Sequence, residues 1–265
     1  MKELQIIQQL KSSKVLLIGD SCIDRYHYGT VERISPEAPV PIFKVLKTEN
    51  KNGMSLNVKE NLLGLGVSVD IITNEKEIIK SRHIENKSRQ HIIRVDWGED
   101  EKVKPLSFDK IERINFDLYD AVVISDYNKG FITKENISKI LSFTNNIPVF
   151  VDTKKKDLRC YEGCIIKINE KEEREVVNFP ENHSLIVTLG ERGARYNNVI
   201  YPTDKVEVFD VCGAGDTFIS ALCSYYIFTK NMLDSIMFAN RCAGFVVQKF
   251  GTYSIKMEDL NEICI

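Results

Sequence analysis

Short apolar runs that end in polar residues recur along this chain, with helical patterns between them. Val15-Leu16-Leu17-Ile18-Gly19-Asp20 is the first, and Val67–Ile72, Ala121–Ser125, Val149–Asp152, Cys164–Asn169 and Leu185–Thr188 follow. Runs of this kind read as strands buried on both faces of a parallel sheet. Leu56–Leu65, Phe108–Phe116 and Thr133–Phe143 carry helical periodicity. Phe218, Ala221, Leu222 and Tyr225 recur at helical spacing in a helix predicted from Ala214 through about Ile227. The alternation predicts an α/β fold, a doubly wound and mostly parallel sheet flanked by helices. Asp20, Asp152 and Asn169 end three of the runs. Sheets of this kind bind ligands outside the carboxyl ends of their strands, so these ends point to one site.

Two segments break the pattern. Arg25–Val45 has Tyr26, Tyr28, Val40, Ile42 and Val45 in partial alternation, and Arg89–Trp97 has Ile92, Ile93 and Val95. Both read as β-strands outside the central sheet, with Pro36, Pro39 and Pro41 at edges or turns. The expected organisation is a single domain over residues 1–265 with a small β-flap from about 25–46 and 88–98. An exposed flap edge would favour a homodimer.

Composition narrows the function classes. The 265 residues are 43% hydrophobic, enough for one sizeable core. Lys and Arg number 36 against 38 Asp and Glu, so no basic surplus argues for nucleic acid or an anionic membrane as partner. No run approaches the ~18 apolar residues of a membrane span. Met1–Lys11 has a helical pattern but no signal-peptide core, and a cytoplasmic location is expected. The seven cysteines are odd in number and scattered; Cys160 and Cys164 have no partner pair nearby, and all seven read as free thiols.

The chemistry concentrates at Asp210-Val211-Cys212-Gly213-Ala214-Gly215-Asp216. Small residues let the backbone turn tightly into a helix, and unpaired N–H groups at a helix start attract anions. A carboxylate beside an anion is unfavourable for both unless it has a task, and taking a proton from an attacking hydroxyl is one. An acidic residue that merely favours the helix dipole is the plainer alternative. Cys212 at this helix start is either a thiol of lowered pKa or a small buried filler. Asp20 and Asp24 stand four apart after the first strand, suited to vicinal hydroxyls, or to a solvated turn.

The longer string Asp-x-x-Gly-Ala-Gly-Asp resembles the signature of the PfkB, or ribokinase-like, family of sugar kinases. The resemblance implies that Asp216 is the catalytic base and that Gly213, Ala214 and Gly215 form an anion hole. Arg33-Ile34-Ser35-Pro36-Glu37-Ala38-Pro39-Val40-Pro41 looks like a flap segment of the bacterial D-glycero-D-manno-heptose-7-phosphate kinases, and Arg89–Asp96 like their second flap strand. Ser125-Asp126-Tyr127-Asn128-Lys129-Gly130 is similar to their Ser-Asp-Tyr-x-Lys-Gly, and Asp152-Thr153-Lys154 to their Asp-Pro-Lys turn. Asn169-Glu170-Lys171-Glu172 fits the family's Asn-x-x-Glu, which implies Mg²⁺ organised by Glu172 and Asn169; a helix cap reads identically. The resemblance places ATP near Lys154, Asn169, Thr188, Gly190, Gly193, Asn240 and Gly251, and the sugar near Asp20, Asp24, Arg33, Gly53, Asn57, Asp126 and Lys129. It implies ATP and Mg²⁺, with a monovalent cation as a further candidate.

Three departures stand out. The family's Gly-Gly-x-x-Asn appears as Gly53-Met54-Ser55-Leu56-Asn57, and a Met there is expected to narrow the sugar pocket or change the substrate. The stretch from Ile72 to Arg82 omits the usual loop and helix. Between Glu173 and Ser184 there is room for barely one helical turn, close to the nucleotide side. The expected activity is transfer of the ATP γ-phosphate to a hydroxyl of a phosphorylated sugar, heptose 7-phosphate at its anomeric position. A related kinase with another sugar or nucleoside acceptor, and a reduced fold that binds a sugar phosphate or nucleotide without catalysis, are the alternatives.

Overall fold

The computed structural model describes residues 12–99, 103–144 and 146–263. The helical pattern at Met1–Lys11 and Cys264 lie outside the described residues. All the apolar runs form strands: β1 (Lys14–Gly19), β4 (Ser68–Thr73), β7 (Ala121–Asp126), β8 (Val149–Thr153), β9 (Ile165–Asn169) and β10 (Ser184–Thr188). They lie in the order β10-β9-β8-β7-β1-β4 and pair in parallel. The short antiparallel strands β11 (Ala194–Tyr196) and β12 (Val199–Tyr201) extend the sheet beyond β10.

Strand alternation assigns each buried residue to one of two cores. Val15, Leu17, Val123 and Phe150 pack with the helices α1 (Ser55–Gly64), α5 (Ala214–Thr229) and α6 (Met232–Val246) through Val58, Leu62, Phe218, Leu222 and Phe238. Leu16, Ile18, Val122, Ile124 and Val151 pack on the other face, with Ile111 of α2 (Phe108–Glu112) and Ile137 and Ile140 of α3 (Lys134–Leu141). Parallel pairing brings the ends of β1, β7, β8, β9 and β10 to one edge of the sheet.

The flap is a second sheet of four strands in the order β3-β2-β5-β6. β2 (Ser21–Ile34) and β3 (Pro41–Met54) form a long antiparallel pair, β5 (Ile79–Glu85) joins β2 in parallel, and β6 (His91–Trp97) closes the far edge. β5 was not expected from the sequence. The chain passes from β4 to β5 without a helix, as the short Ile72–Arg82 stretch required. The other short stretch, from Glu173 to Ser184, takes in only the last three residues of the six-residue helix α4 (Glu170–Glu175).

Met54 is where the structure corrects the sequence reading. Its backbone sits at φ 54°, ψ −130°, at the start of α1 and without a side-chain cap. Its side chain is 3% exposed and packs in the core beside Cys22, Ile18 and Ile78 rather than narrowing a cleft. A positive φ in a non-glycine residue away from the αL well costs about 1–3 kcal/mol, while truncating a buried Met costs about 2–5 kcal/mol. Met54→Ala keeps the strain and loses the packing; Met54→Gly loses the packing and relieves the strain. Chemical denaturation is therefore expected to rank Met54→Gly above Met54→Ala, the reverse of the usual order of these residues. The usual order would show that the backbone here carries no strain.

Candidate active site

Asp216 lies in the first turn of α5 and is 5% exposed. Its Oδ2 accepts from Asn57 Nδ2 at 2.9 Å and its Oδ1 from the Tyr127 hydroxyl at 2.7 Å. Burial pushes its pKa up to about 6, against the pull of the Asn57 and Tyr127 hydrogen bonds. A polar ladder from α1 holds Asn57 in turn. Asn57 Oδ1 accepts from Ser254 Oγ at 2.9 Å, and Asn61 Oδ1 accepts from Thr217 Oγ1 at 3.1 Å and from the backbone N–H of Ile255 at 3.0 Å.

The turn before Asp216 is built for close approach. Gly213 has φ +83°, and a Cβ there would stand 2.7 Å from Asn57 Nδ2. A Cβ on Gly215 would stand 2.8 Å from Lys167 Nζ. Asp210 braces the loop by accepting from Cys212 N at 2.9 Å and Gly251 N at 3.1 Å. The Cys212 thiol is pushed up to about 11 by burial and by Asp210, which makes it the filler and not a reactive thiolate. The six described cysteines are free.

A cavity of about 240 Å³ opens beside Asp216, lined by Tyr127, Asp152, Lys154, Lys167, Asn169, Thr188, Gly213 and Gly215. Lys167 is 2% exposed and donates to Asp152 Oδ2 at 2.8 Å. Burial alone would raise the Asp152 pKa, but Lys167 and Lys154 outweigh it and hold the carboxyl below the usual range. Lys154 pairs with Glu172 and lies 3.4 Å from Asp152 Oδ1. Burial opposes its charge, and the two carboxylates reverse that, so the ammonium is held above its ordinary range. Asn169 and Glu172 cap α4 reciprocally at 2.9 and 2.8 Å, which is the cap reading of Asn-x-x-Glu. Asp152 and Glu172 already converge on one cation, the Lys154 ammonium. Asp152 lines the cavity and Glu172 stands behind Lys154, and carboxylates so few in number suit Mg²⁺, which takes few protein oxygens and keeps water. Among the described residues no cluster of three or more His, Cys, Asp or Glu is present to hold a metal more fully.

The other expected site residues divide. Asp24 is buried on the inner face of β2 and pairs with Arg82 of β5 at 2.5 Å. Gly53 faces it, and a Cβ there would stand 2.5 Å from Asp24 Oδ2. Gly251, with φ +72°, lies against Lys51 Nζ. Gly190 and Gly193 shape the turn after β10, and Asn240 of α6 donates to the Tyr201 carbonyl at 2.8 Å, tying α6 to the end of β12. Asp20, Asp126 and Arg33 do not line the cavity beside Asp216. Asp20 is fully buried, accepts from Lys129 N at 3.3 Å, and has its pKa pushed up to about 6 by burial and by Asp126. Asp126 is closed from solvent by Lys155, Tyr161 at 2.5 Å and Asn128 N at 2.8 Å. Arg33 is exposed near the far end of β2, nine residues and roughly 30 Å of strand beyond Asp24. The Lys129 side chain pairs with Glu99 at 2.7 Å.

Two residues at the centre of the site were not expected. Tyr127 stood inside a quoted motif, but only its neighbours Asp126 and Lys129 were assigned. Lys167 was masked by its apolar run, Cys164-Ile165-Ile166-Lys167-Ile168.

Among the described residues no helix is long and apolar enough to cross a membrane. The ribokinase of Thermotoga maritima superposes with a TM-score of 0.68 at 16% identity, over 95% of this chain and 99% of that one. Phosphofructokinase-2 of Escherichia coli, in complex with substrates and products, superposes with a TM-score of 0.73 at 16% identity, over 95% and 98%. These likenesses establish a ribokinase-like fold. The curated bifunctional protein HldE of Nitratiruptor sp. is 35% identical over 94% of this chain and 64% of its own length, and that of Haemophilus influenzae strain PittEE is 31% identical over 97% and 64%. The chain thus spans somewhat under two thirds of the length of these relatives. Residues 57–259, more than half of the chain, match the model of the pfkB family carbohydrate kinases. The chain belongs to that family of carbohydrate kinases, phosphotransferases with an alcohol group as acceptor.

Proposed function

We propose that this kinase transfers the ATP γ-phosphate to the anomeric hydroxyl of heptose 7-phosphate, with Asp216 as the base. The observation that carries the reading is Asp216 itself: a buried carboxylate of raised basicity, held by Asn57 and Tyr127 in the first turn of α5 and next to the Gly213–Gly215 turn. The flap resemblance at Arg33–Pro41 and Arg89–Asp96 supports heptose 7-phosphate as the acceptor.

Asp24 would accept hydrogen bonds from sugar hydroxyls, which presents the reacting hydroxyl to Asp216. Asp216 takes the hydroxyl proton as the oxygen bonds to the γ-phosphorus, and the bond from that phosphorus to the bridging oxygen of ADP breaks. Gly213, Gly215 and the Lys167 ammonium line the cavity where charge would gather on the transferring group and would supply a fixed electrostatic stabilisation, while the Ala214 N–H, expected in the anion hole, is taken by the Val211 carbonyl at 3.3 Å. Mg²⁺, when bound, neutralises phosphate charge, and Glu172 and Asp152 are the residues that would hold it. Lys154, paired with Glu172 at the edge of the cavity, would supply a positive charge to a phosphate oxygen. The flap, by covering the acceptor, would exclude water as a competing nucleophile. Outward-facing Val45, Leu46, Ile93 and Trp97 support a homodimer formed through the flap; a monomer by light scattering at micromolar concentration would contradict it.

The test is ADP release with ATP and Mg²⁺ across a panel of sugar phosphates and free sugars. Release that depends on heptose 7-phosphate supports the reading. Release on another acceptor alone keeps the mechanism and overturns the substrate.

A further inference from the structure

Two buried acids, Asp20 and Asp126, take no part in the transfer chemistry, yet both fasten the turn of residues 125–130. Asp126 ends β7, is fully buried, and accepts at Oδ1 from the Asn128 N–H at 2.8 Å. A carboxyl that accepts from the backbone two residues on fixes a turn. Lys155 and the Tyr161 hydroxyl, the latter at 2.5 Å, hold its other oxygen. Asp20, fully buried just after β1, accepts from the Lys129 N–H at 3.3 Å. The Asp126 carbonyl accepts from the Lys154 N–H at 2.9 Å. Asn128 has φ 57° and Gly130 φ 99°, so the backbone changes direction within these few residues. The turn is thus anchored on both sides of one residue, Tyr127.

Tyr127 donates its hydroxyl to Asp216 Oδ1 at 2.7 Å, while Asp216 Oδ2 is taken by Asn57 at 2.9 Å. Tyr127 lines the cavity beside Asp216 and Asn57 does not, so Oδ1 is the oxygen on the cavity side. The Tyr127 ring lies 5.8 Å from Lys80 Nζ of the flap and 5.4 Å from Lys154 Nζ, both within the reach of a cation–π contact. Each ammonium also has a carboxylate, Glu99 for Lys80 and Glu172 for Lys154. Burial and the neighbouring Asp216 and Asp152 carboxyls, with the Cys22 thiol, hold the Tyr127 pKa well above its ordinary value, so its hydroxyl stays a donor. A carboxylate oxygen has two lone pairs. Tyr127 fills one on Oδ1, and the other is left for a ligand in the cavity.

We infer that Tyr127 is a positioning residue of the transfer, whose hydroxyl fixes the cavity-side oxygen of Asp216 so that its remaining lone pair points at the acceptor's hydroxyl. The inference rests on Asp216 being the base, and adds what aims it. The terminal torsion of an Asp side chain is broad, and a carboxyl held at one oxygen alone turns about it. A base works only from within hydrogen-bond reach of its proton, so loose aim costs rate. The same hydrogen bond steadies the ionised carboxyl. It acts with Asn57 and Lys167, against burial and Asp152. Asp20 and Asp126 then have a task, since they anchor the turn that carries the tyrosine.

The test is Tyr127→Phe in the full chain, alone and combined with Asp216→Asn. Phe keeps the ring beside Lys80 and Lys154, so the comparison reads the hydroxyl alone. Without nucleotide or acceptor, ¹³C NMR titration of the Asp216 carboxyl is expected to move up by about one pH unit or more in Tyr127→Phe. With ATP, Mg²⁺ and heptose 7-phosphate, kcat is expected to fall about tenfold or more while the acceptor KM changes by less than about twofold. In the Asp216→Asn background the same change is expected to alter the residual turnover by less than about twofold, because Tyr127 acts through the carboxylate. An unmoved titration, an unchanged kcat, or the same loss in both backgrounds overturns the inference. The two readings fail separately. Near-normal turnover in Asp216→Asn removes the base, and with it this role for the tyrosine. No ADP from the wild type on this acceptor overturns the substrate alone, and the carboxyl titration then decides for or against Tyr127.

Discussion

Replacing Asp216 by Asn is expected to lower kcat by about 10²–10⁴-fold, the usual worth of a general base, with ATP and acceptor affinities changed little. The substitution is nearly isosteric. The amide oxygen can still accept from Asn57, and the amide nitrogen can donate to Tyr127, whose hydroxyl accepts as well as donates. Only the proton-accepting capacity is lost. The wild type carries a second signature. Burial raises the Asp216 pKa to about 6, so the ionised, basic form is depleted as pH falls through that value. Wild-type kcat/KM should therefore rise with pH through about 6 and level off above it, and the residual activity of the variant should lack that limb. Near-normal turnover in Asp216→Asn, measured by ADP release, would remove Asp216 from the mechanism.

Lys167→Met is expected to destabilise the fold by about 3 kcal/mol or more, because it strands a buried carboxylate. Asp152 is 2% exposed, and Lys167 Nζ is its nearest cation at 2.8 Å. Lys154 lies farther off at 3.4 Å and is shared with Glu172. With Lys167 present, the Asp152 pKa is held low, so the pair's contribution is present above the ordinary carboxylate range and is lost as pH falls through the depressed value. With Met in its place, burial is opposed only by Lys154. The deficit relative to wild type should then be largest at neutral pH and shrink on acidification. Adding Asp152→Asn removes the stranded charge, so the double variant should recover part of the loss. Thermal melts of the three proteins check this; a melting temperature of Lys167→Met within about a degree of wild type would mean that the pair contributes nothing to stability.

What the sequence discloses here follows from which forces shape each segment. The central strands were legible because both of their faces are buried, which leaves an apolar run that few other structures produce. The helix at Ala214 was legible because its turn, its anion site and its apolar face coincide in one string. β5 was not, and the reason lies in its inward face: Lys80 and Arg82 occupy positions where an ordinary sheet would place apolar residues. An alternation carried by charge does not read as a strand. Lys167 failed in the opposite way, one cation in a run whose neighbours declare a core strand; only the fold shows that Asp152 on the next strand and the Gly215 turn receive it. Asp20 and Asp126 had the right positions at strand ends, but a strand end does not reveal whether a carboxylate faces the cleft or turns under the following loop. Met54 departs from the family string, and the backbone accepts a positive φ there with the side chain buried in the core.

The most direct test of the account is a ³¹P NMR experiment on the full chain with ATP, Mg²⁺ and heptose 7-phosphate, run beside Asp216→Asn. The account predicts a new phosphate resonance coupled to the anomeric proton, with ADP formed in equal amount by the wild type and neither product in the variant over the same time. ADP formed without a second sugar phosphate, or the same product from both proteins, would contradict it.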